Sequence, residues 1–242
     1  MHLIDTHFHL DYYKNHEYWY DQINKLQQYT LCVTNSPEVY LSCRKLYPET
    51  KYVKFALGYN PQQSLKVDFS KSTFLHELST TQYVGEVGLD YSKNFVASKK
   101  KQQDAFEFIC HQAAKQKKLL SVHSRMAEED TLKILLRQGV KKAIIHWYTG
   151  NLKIMNHLLD AGYYFSVNSS MCDSVNGRKI ISNIPIDRLL VESDGPFSKI
   201  GTKKYSPADL QQTYNLISNT IGSKEISKLV FNNFKYLLSQ HL

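Results

Sequence analysis

Asp5, His7 and His9 alternate along the stretch Leu3-Ile4-Asp5-Thr6-His7-Phe8-His9, and a spacing of two puts them on one face of a β-strand. An edge strand with polar residues toward water is the ordinary account of such a pattern. In a closed barrel the same face points inward, where unpaired titratable groups are costly, and two neutral imidazoles at i and i+2 reach one cation. His123 and His146 each end an apolar run, after Leu119-Leu120-Ser121-Val122 and Ala143-Ile144-Ile145. A single strand-end histidine is more often a hydrogen-bonded core residue than a ligand. Two at matching positions, with two more on the first strand, reverse that reading. Glu86 sits in Val84-Gly85-Glu86-Val87-Gly88, whose glycines suit a close backbone approach, and Asp194 follows Leu189-Leu190-Val191-Glu192. Buried carboxylates in such places need partners, and a metal ion is one. Four imidazoles favour borderline ions such as Zn²⁺, Mn²⁺ or Fe²⁺ over Mg²⁺.

The elements that must position these residues are short β-type runs alternating with helical patterns. Strands are expected near Leu3 to Phe8, Thr30 to Thr34, Val53 to Gly58, Tyr83 to Val87, Leu119 to His123, Ala143 to Trp147, Tyr163 to Val167 and Leu189 to Glu192. Between the fourth and fifth, Phe106, Ile109, Cys110 and Ala113 form one apolar helical stripe. Ser206-Pro207-Ala208-Asp209 reads as a capping box with Pro at the first helical position, ahead of a face of Leu210, Tyr214, Ile217 and Ile221. The last helix carries Ile226, Leu229, Val230, Phe234 and Leu237. Such alternation implies a parallel sheet, and no G-x-G-x-x-G follows the first strand. The expected fold is therefore α/β, a single (β/α)8 TIM-type barrel over residues 1–242, with the polar strand ends gathered at one mouth.

The 242 residues suit one such domain, and their formal charge of +8 favours anionic partners. A solvated helix face accounts for most of Lys99-Lys100-Lys101 and Lys115, Lys117 and Lys118. Cys32, Cys43, Cys110 and Cys172 form no C-x-x-C pair and read as reduced, buried thiols. No apolar run reaches the ~18 residues of a membrane span. The first residues lack a basic segment leading into an apolar one, so a cytoplasmic location is expected.

Five segments, in order, resemble the motifs of the TatD-type deoxyribonucleases of the amidohydrolase-like superfamily. They are Asp5-Thr6-His7-Phe8-His9-Leu10-Asp11, Gly85-Glu86-Val87-Gly88-Leu89-Asp90-Tyr91, His123-Ser124-Arg125, His146-Trp147-Tyr148-Thr149-Gly150 and Glu192-Ser193-Asp194-Gly195-Pro196. Asn233-Phe234 resembles the family's closing asparagine. The resemblance implies a hydrolase with two divalent ions, of zinc, manganese or magnesium type. It implies that His7, His9 and Asp194 hold one ion, that His123 and His146 hold the other, and that Glu86 bridges them. A carboxylate between two cations offsets their repulsion, and Asp194 would also accept the proton of the attacking water.

The family's G-x-H-P-H is here Gly58-Tyr59-Asn60-Pro61-Gln62. The first of those histidines is implied in binding the scissile phosphate. Asn60, its replacement, is assigned a catalytic and substrate-binding place as a neutral donor. Arg125 and Tyr148 are further candidates for substrate. The loop after the eighth strand is short, and its Lys199, Lys203, Lys204 and Tyr205 either meet a phosphate backbone and stack a base or form a solvated turn. These departures resemble a specialised branch, such as the members found in Qat anti-phage operons, with protein partners encoded alongside. Three functions remain open: a nuclease on single-stranded DNA, an amidohydrolase-type enzyme cutting a C–N or C–O bond, and a metal-stabilised subunit of a larger complex.

Overall fold

The computed structural model describes residues 2–239. Its strands are β1 (Ile4–Phe8), β2 (Tyr29–Val33), β3 (Val53–Ala56), β4 (Tyr83–Asp90), β5 (Leu119–Arg125), β6 (Ala143–His146), β7 (Tyr164–Val167) and β8 (Leu189–Val191), followed by the short β9 (Lys199–Ile200) and β10 (Lys203–Lys204). The helices between them are α1 (His16–Lys25), α2 (Pro37–Leu46), α3 (Lys71–Leu78), α4 (Lys99–Lys115), α5 (Glu128–Arg137), α6 (Leu152–Asp160), α7 (Ser169–Asp173) and α8 (Val175–Asn183). Helices α9 (Leu210–Ile221) and α10 (Ile226–Ser239) close the chain. The expected βα alternation holds throughout. The main departures are β4, which runs on to Asp90, and the segment after β8, where β9 and β10 form an antiparallel hairpin instead of a plain loop.

Packing divides the chain into two compact units that interleave in sequence. One holds the residues up to Cys32, Tyr47–Lys54 and those from Phe165 onward; the other holds Val33–Leu46 and Phe55–Tyr164.

In the first unit β1 pairs in parallel with β2, and β7 with β8. Every residue of β1 is buried. The Thr6 hydroxyl donates to the Val191 carbonyl at 3.1 Å, and Phe8 bridges to Gly195, so β1 runs beside β8 and the segment that leaves it. Helix α9 anchors the start of β1: the Tyr214 hydroxyl donates to the Ile4 carbonyl at 2.8 Å and accepts from the Ile4 amide at 3.1 Å. The capping box ahead of α9 is present, with Asp209 accepting from the Ser206 amide. Leu210, Tyr214 and Ile217 are buried, while Ile221 is only partly so. In α10 the buried Asn233 donates to the Ile186 and Leu189 carbonyls, which fixes the approach to β8.

In the second unit β4 pairs in parallel with β5, and β5 with β6. Val84, Val87, Leu89, Leu120, Val122, Ile144 and Ile145 are fully buried, as strands covered on both faces require. Phe106, Ile109, Cys110 and Ala113 of α4 bury the expected stripe, each larger side chain contributing about 1.5–3 kcal/mol. All four cysteines are free and buried.

Candidate metal centre

Two groups of ligand-bearing side chains stand out, one in each unit. The first forms because β1 and the segment after β8 are joined by their backbones. The Asp194 amide donates to the His7 carbonyl at 2.8 Å, and the His9 amide to the Gly195 carbonyl at 3.0 Å. That register brings Asp194 across from both histidines. His7 Nε2 and His9 Nε2 are 3.2 Å apart, and Asp194 Oδ1 lies 3.7 Å from the first and 3.5 Å from the second. All three side chains are buried. Asp194 sits at φ +47°, in the left-handed region that costs an ordinary residue on the order of 1–3 kcal/mol.

Asp5 does not join this group. It is buried and accepts from the Ser193 amide at 2.8 Å, the Ser193 hydroxyl at 2.6 Å and the His7 amide at 3.3 Å. Burial pushes its carboxyl up to about 7, against the lowering effect of those hydrogen bonds. Asp5 thus clamps the backbone on either side of the ligands. Next to it, Glu192 is fully buried and accepts from Asn168 at 3.0 Å and from Ser166.

The second group is built on β4, β5 and β6. Glu86 Oε1 lies 2.9 Å from His123 Nδ1 and 2.9 Å from His146 Nε2, and those nitrogens are 3.1 Å apart. Glu86 is not at the end of β4 but within it, at an irregularity in the pairing between Val84 and Val87. Its amide donates to the Thr34 carbonyl and its carbonyl accepts from the Tyr59 amide. A Cβ at Gly58 would lie 1.8 Å from the Thr34 carbonyl oxygen, so only glycine admits this close packing. Gly88 has φ +138°, and a Cβ there would lie 2.0 Å from the His123 carbonyl oxygen. The glycines around Glu86 do serve close backbone approach, as their placement suggests.

Asp90 is the residue missed in the sequence. It lies four positions after Glu86, an even spacing that becomes a shared strand face once β4 is seen to continue. Its Oδ2 accepts from His123 Nε2 at 3.1 Å and from Gln62 Nε2 at 2.9 Å, and its Oδ1 from the Ser92 amide at 2.9 Å. Gln102 of α4 holds its backbone on both sides, accepting from the Asp90 amide and donating to the Asp90 carbonyl. Burial raises this carboxyl, but the hydrogen bonds from His123, Ser92 and Gln62 outweigh it and hold Asp90 well below the usual carboxylate range. For His123, burial disfavours the charged ring, and its bonds to Asp90 and Glu86 outweigh that and raise its pKa. A carboxylate behind a ligating imidazole is the usual way to fix its tautomer and orientation.

Both groups fit a divalent cation. Ligand atoms at roughly 2.0–2.2 Å from one ion stand about 3–3.5 Å from each other, close to the spacings found in both. Buried imidazoles and carboxylates at such distances, facing one another, match a cation's donor set better than an ordinary apolar interior.

The remaining candidates are placed less uniformly. Asn60 is buried, donates to Glu86 Oε2 at 2.5 Å and accepts from the Gln62 amide at 2.8 Å. It holds Glu86. Tyr148 is only 1% exposed and its hydroxyl donates to the Asn151 carbonyl at 2.8 Å; with both ring faces packed it offers no surface to a base. Tyr205 is buried likewise. Arg125 is exposed at the end of β5, and Lys199, Lys203 and Lys204 are exposed on the β9–β10 hairpin.

Histidine and carboxylate clusters on parallel strands of an α/β fold are the arrangement expected of a metal-dependent hydrolase. A family model described as TatD related DNase matches residues 4–239, and the chain belongs to that family. An uncharacterized metal-dependent hydrolase of Buchnera aphidicola is 31% identical over 227 residues, covering 81% of this chain and 82% of the relative. The 3'-5' ssDNA/RNA exonuclease TatD of Pectobacterium atrosepticum is 29% identical over 159 residues, covering 62% and 60%. The crystal structure of YjjV, a TatD homologue of Escherichia coli, superposes with a TM-score of 0.83 at 19% identity over 97% of each chain. That likeness shows the fold, the TIM-type α/β class expected from the alternation of elements.

Proposed function

We propose that this protein hydrolyses phosphodiester bonds of single-stranded DNA, using one divalent ion at each group. The observation that carries the reading is the pair of three-ligand sets, buried but for a partly exposed His123, with cation-like spacing, in a chain of a DNase family. A relative named as an exonuclease on single-stranded DNA and RNA and the net charge of +8 support a nucleic-acid substrate. His7, His9 and Asp194 hold one ion; Glu86, His123 and His146 hold the other. Bound divalent ions supply Lewis-acid polarisation of the phosphate and ease deprotonation of water near neutral pH.

The protein's own groups do the rest. Asp194 accepts the proton of the attacking water. Asp90 and Asn60 orient His123 and Glu86. Arg125 and the hairpin lysines Lys203 and Lys204 contact backbone phosphates, and the enzyme acts in the cytoplasm. Among the described residues, no helix is long and apolar enough to cross a membrane. A place in anti-phage defence, beside partners from the same operon, follows the departures at Asn60 and Gln62. Phage plating on cells carrying wild-type or Asp194→Asn protein tests it, and equal plating would refute it. For the activity itself, protein loaded with Mn²⁺, Mg²⁺ or Zn²⁺ is given single-stranded DNA, duplex DNA, RNA, amides and lactones. Fastest turnover is expected on single-stranded DNA. Turnover of an amide or lactone with no nuclease activity under any metal would replace this reading with the amidohydrolase one.

A further inference from the structure

Tyr12 and Phe197 are large apolar side chains that stay half exposed, at 45% and 49%, directly against a proposed metal ligand. Their ring centroids lie 5.5 Å and 5.3 Å from that of His9, each at an interplanar angle of 84°. They meet each other edge to face at 4.8 Å and 72°. Tyr12 ends the short turn that follows β1, and Phe197 lies three residues after Asp194. Both backbones are therefore set by the segments that place the ligands: the Tyr12 amide donates to the His9 carbonyl, and the Phe197 amide to the Asp194 carbonyl. An aromatic pair needed only for packing would be expected to bury more of its surface.

The chain that leaves Phe197 is rich in lysine, while Asp11, whose Oδ1 lies 4.0 Å from His9 Nδ1, is the carboxylate next to Tyr12. Two residues beyond Phe197 the chain enters the β9–β10 hairpin, on which Lys199, Lys203 and Lys204 are all exposed. Exposed aromatic rings beside a run of lysines are the combination that binds single-stranded nucleic acid, rings stacking on bases and ammonium groups tracking phosphates. Tyr148 and Tyr205, the aromatic candidates named from the sequence, are buried.

We infer that Tyr12 and Phe197 form the base-stacking platform of the active site, receiving a nucleobase of single-stranded DNA next to the phosphate held at the His7–His9–Asp194 group. The inference rests on the nuclease reading for its substrate, and it adds the residues that grip the base. Stacking is tolerant of base identity, so the platform gives preference for an unpaired base over a paired one and little preference among bases.

The test uses metal-loaded full-length protein and two phosphorothioate probes of equal length and charge, one oligothymidylate and one wholly abasic. Wild type should bind the thymidine probe on the order of tenfold more tightly than the abasic one. Tyr12→Ala and Phe197→Ala should each erode that ratio, and the double variant should abolish it with abasic binding unchanged. Tyr12→Phe should retain it. Metal content, measured by mass spectrometry, should stay at the wild-type level. The inference is overturned if wild type binds both probes equally or neither. It is also overturned if the double variant keeps the ratio, or if the variants lose metal while the ratio persists, since the rings would then serve only to support His9. Nuclease assays on cleavable probes separate the two readings. A base-dependent binding ratio without hydrolysis under any metal keeps the platform and sinks the nuclease. Equal hydrolysis of thymidine and abasic strands does the reverse.

Discussion

Replacing Asp90 with asparagine keeps the side-chain volume but leaves one acceptor oxygen where there were two. Three donors converge on the wild-type carboxylate: the Ser92 amide on Oδ1, and Gln62 Nε2 and His123 Nε2 on Oδ2. The backbone amide of Ser92 cannot turn away, so the asparagine oxygen stays with it and the NH₂ group faces Gln62 and His123. Gln62 can adapt by turning its own amide to present oxygen. His123 can adapt only by accepting at Nε2, which moves the ring proton to Nδ1, the atom that lies 2.9 Å from Glu86. A protonated Nδ1 has no lone pair for an ion. Loss of such an outer partner typically costs about 10- to 100-fold in metal affinity, or roughly 1.4–2.7 kcal/mol. Titration calorimetry with Mn²⁺ measures it, with the His7–His9–Asp194 group as the internal reference. One site weakened by that factor beside one of unchanged affinity is the expected result. Two wild-type affinities in Asp90→Asn would refute the argument that this carboxylate sets the tautomer of His123.

Three further outcomes follow from the same geometry. Asp194→Asn should lower turnover by about 10²–10⁴-fold, the usual value of a positioned proton acceptor, while circular dichroism stays native because the bonds that place residue 194 come from its backbone. Glu86→Ala should remove the ion of the His123–His146 group in a metal titration, and loss of both ions would assign Glu86 the bridging role implied by the family resemblance. Chelation with EDTA should lower the melting temperature measured by differential scanning fluorimetry. An ion present at 100 to 1,000 times its Kd contributes about 2.7–4.1 kcal/mol, and each kcal/mol moves a chain of this size by roughly 2–4 °C. An unchanged melting temperature would mean that neither group binds an ion under those conditions.

The alternation of strands and helices was legible because it rests on periodicity, and each β-run has its own apolar signal. The candidate ligand groups were legible because histidine and carboxylate at strand ends are chemically conspicuous. His7, His9 and Asp194 come together as expected, as do Glu86, His123 and His146. The end of β4 at Asp90 is not legible, for a definite reason. Gly88 has no strand-forming side chain, yet at φ +138° it keeps its register opposite His123 of β5, a tertiary fact with no local signature. With a strand expected to end at Val87, Asp90 lies outside it and shares no face with Glu86. Tyr148 was ambiguous on different grounds: an aromatic residue after a candidate ligand histidine has the same sequence appearance whether its ring is packed or open, and here it is packed.

What the sequence encodes weakly is the support of the ligands, because that role falls to residue types with many other uses. Ser193, Asn168, Gln62 and Gln102 are unremarkable in a chain of this composition, yet they hold Asp5, Glu192 and Asp90 in place. This bears on how the departure at Asn60 is understood. Set against the family pattern, asparagine for histidine is the loss of a group able to carry charge toward a phosphate. In the folded chain the amide is buried, with its NH₂ on Glu86 and its oxygen on the Gln62 backbone, while the Gln62 side chain reaches Asp90. The two substituted positions are thus joined, and both point at the partners of His123. A pair of amides carries no charge of its own and stays in one protonation state across the physiological range, so the hold on Glu86 and Asp90 does not titrate as a pair of histidines would. The change at 60 and 62 alters how the candidate ligands Glu86 and His123 are held and leaves both of them in place.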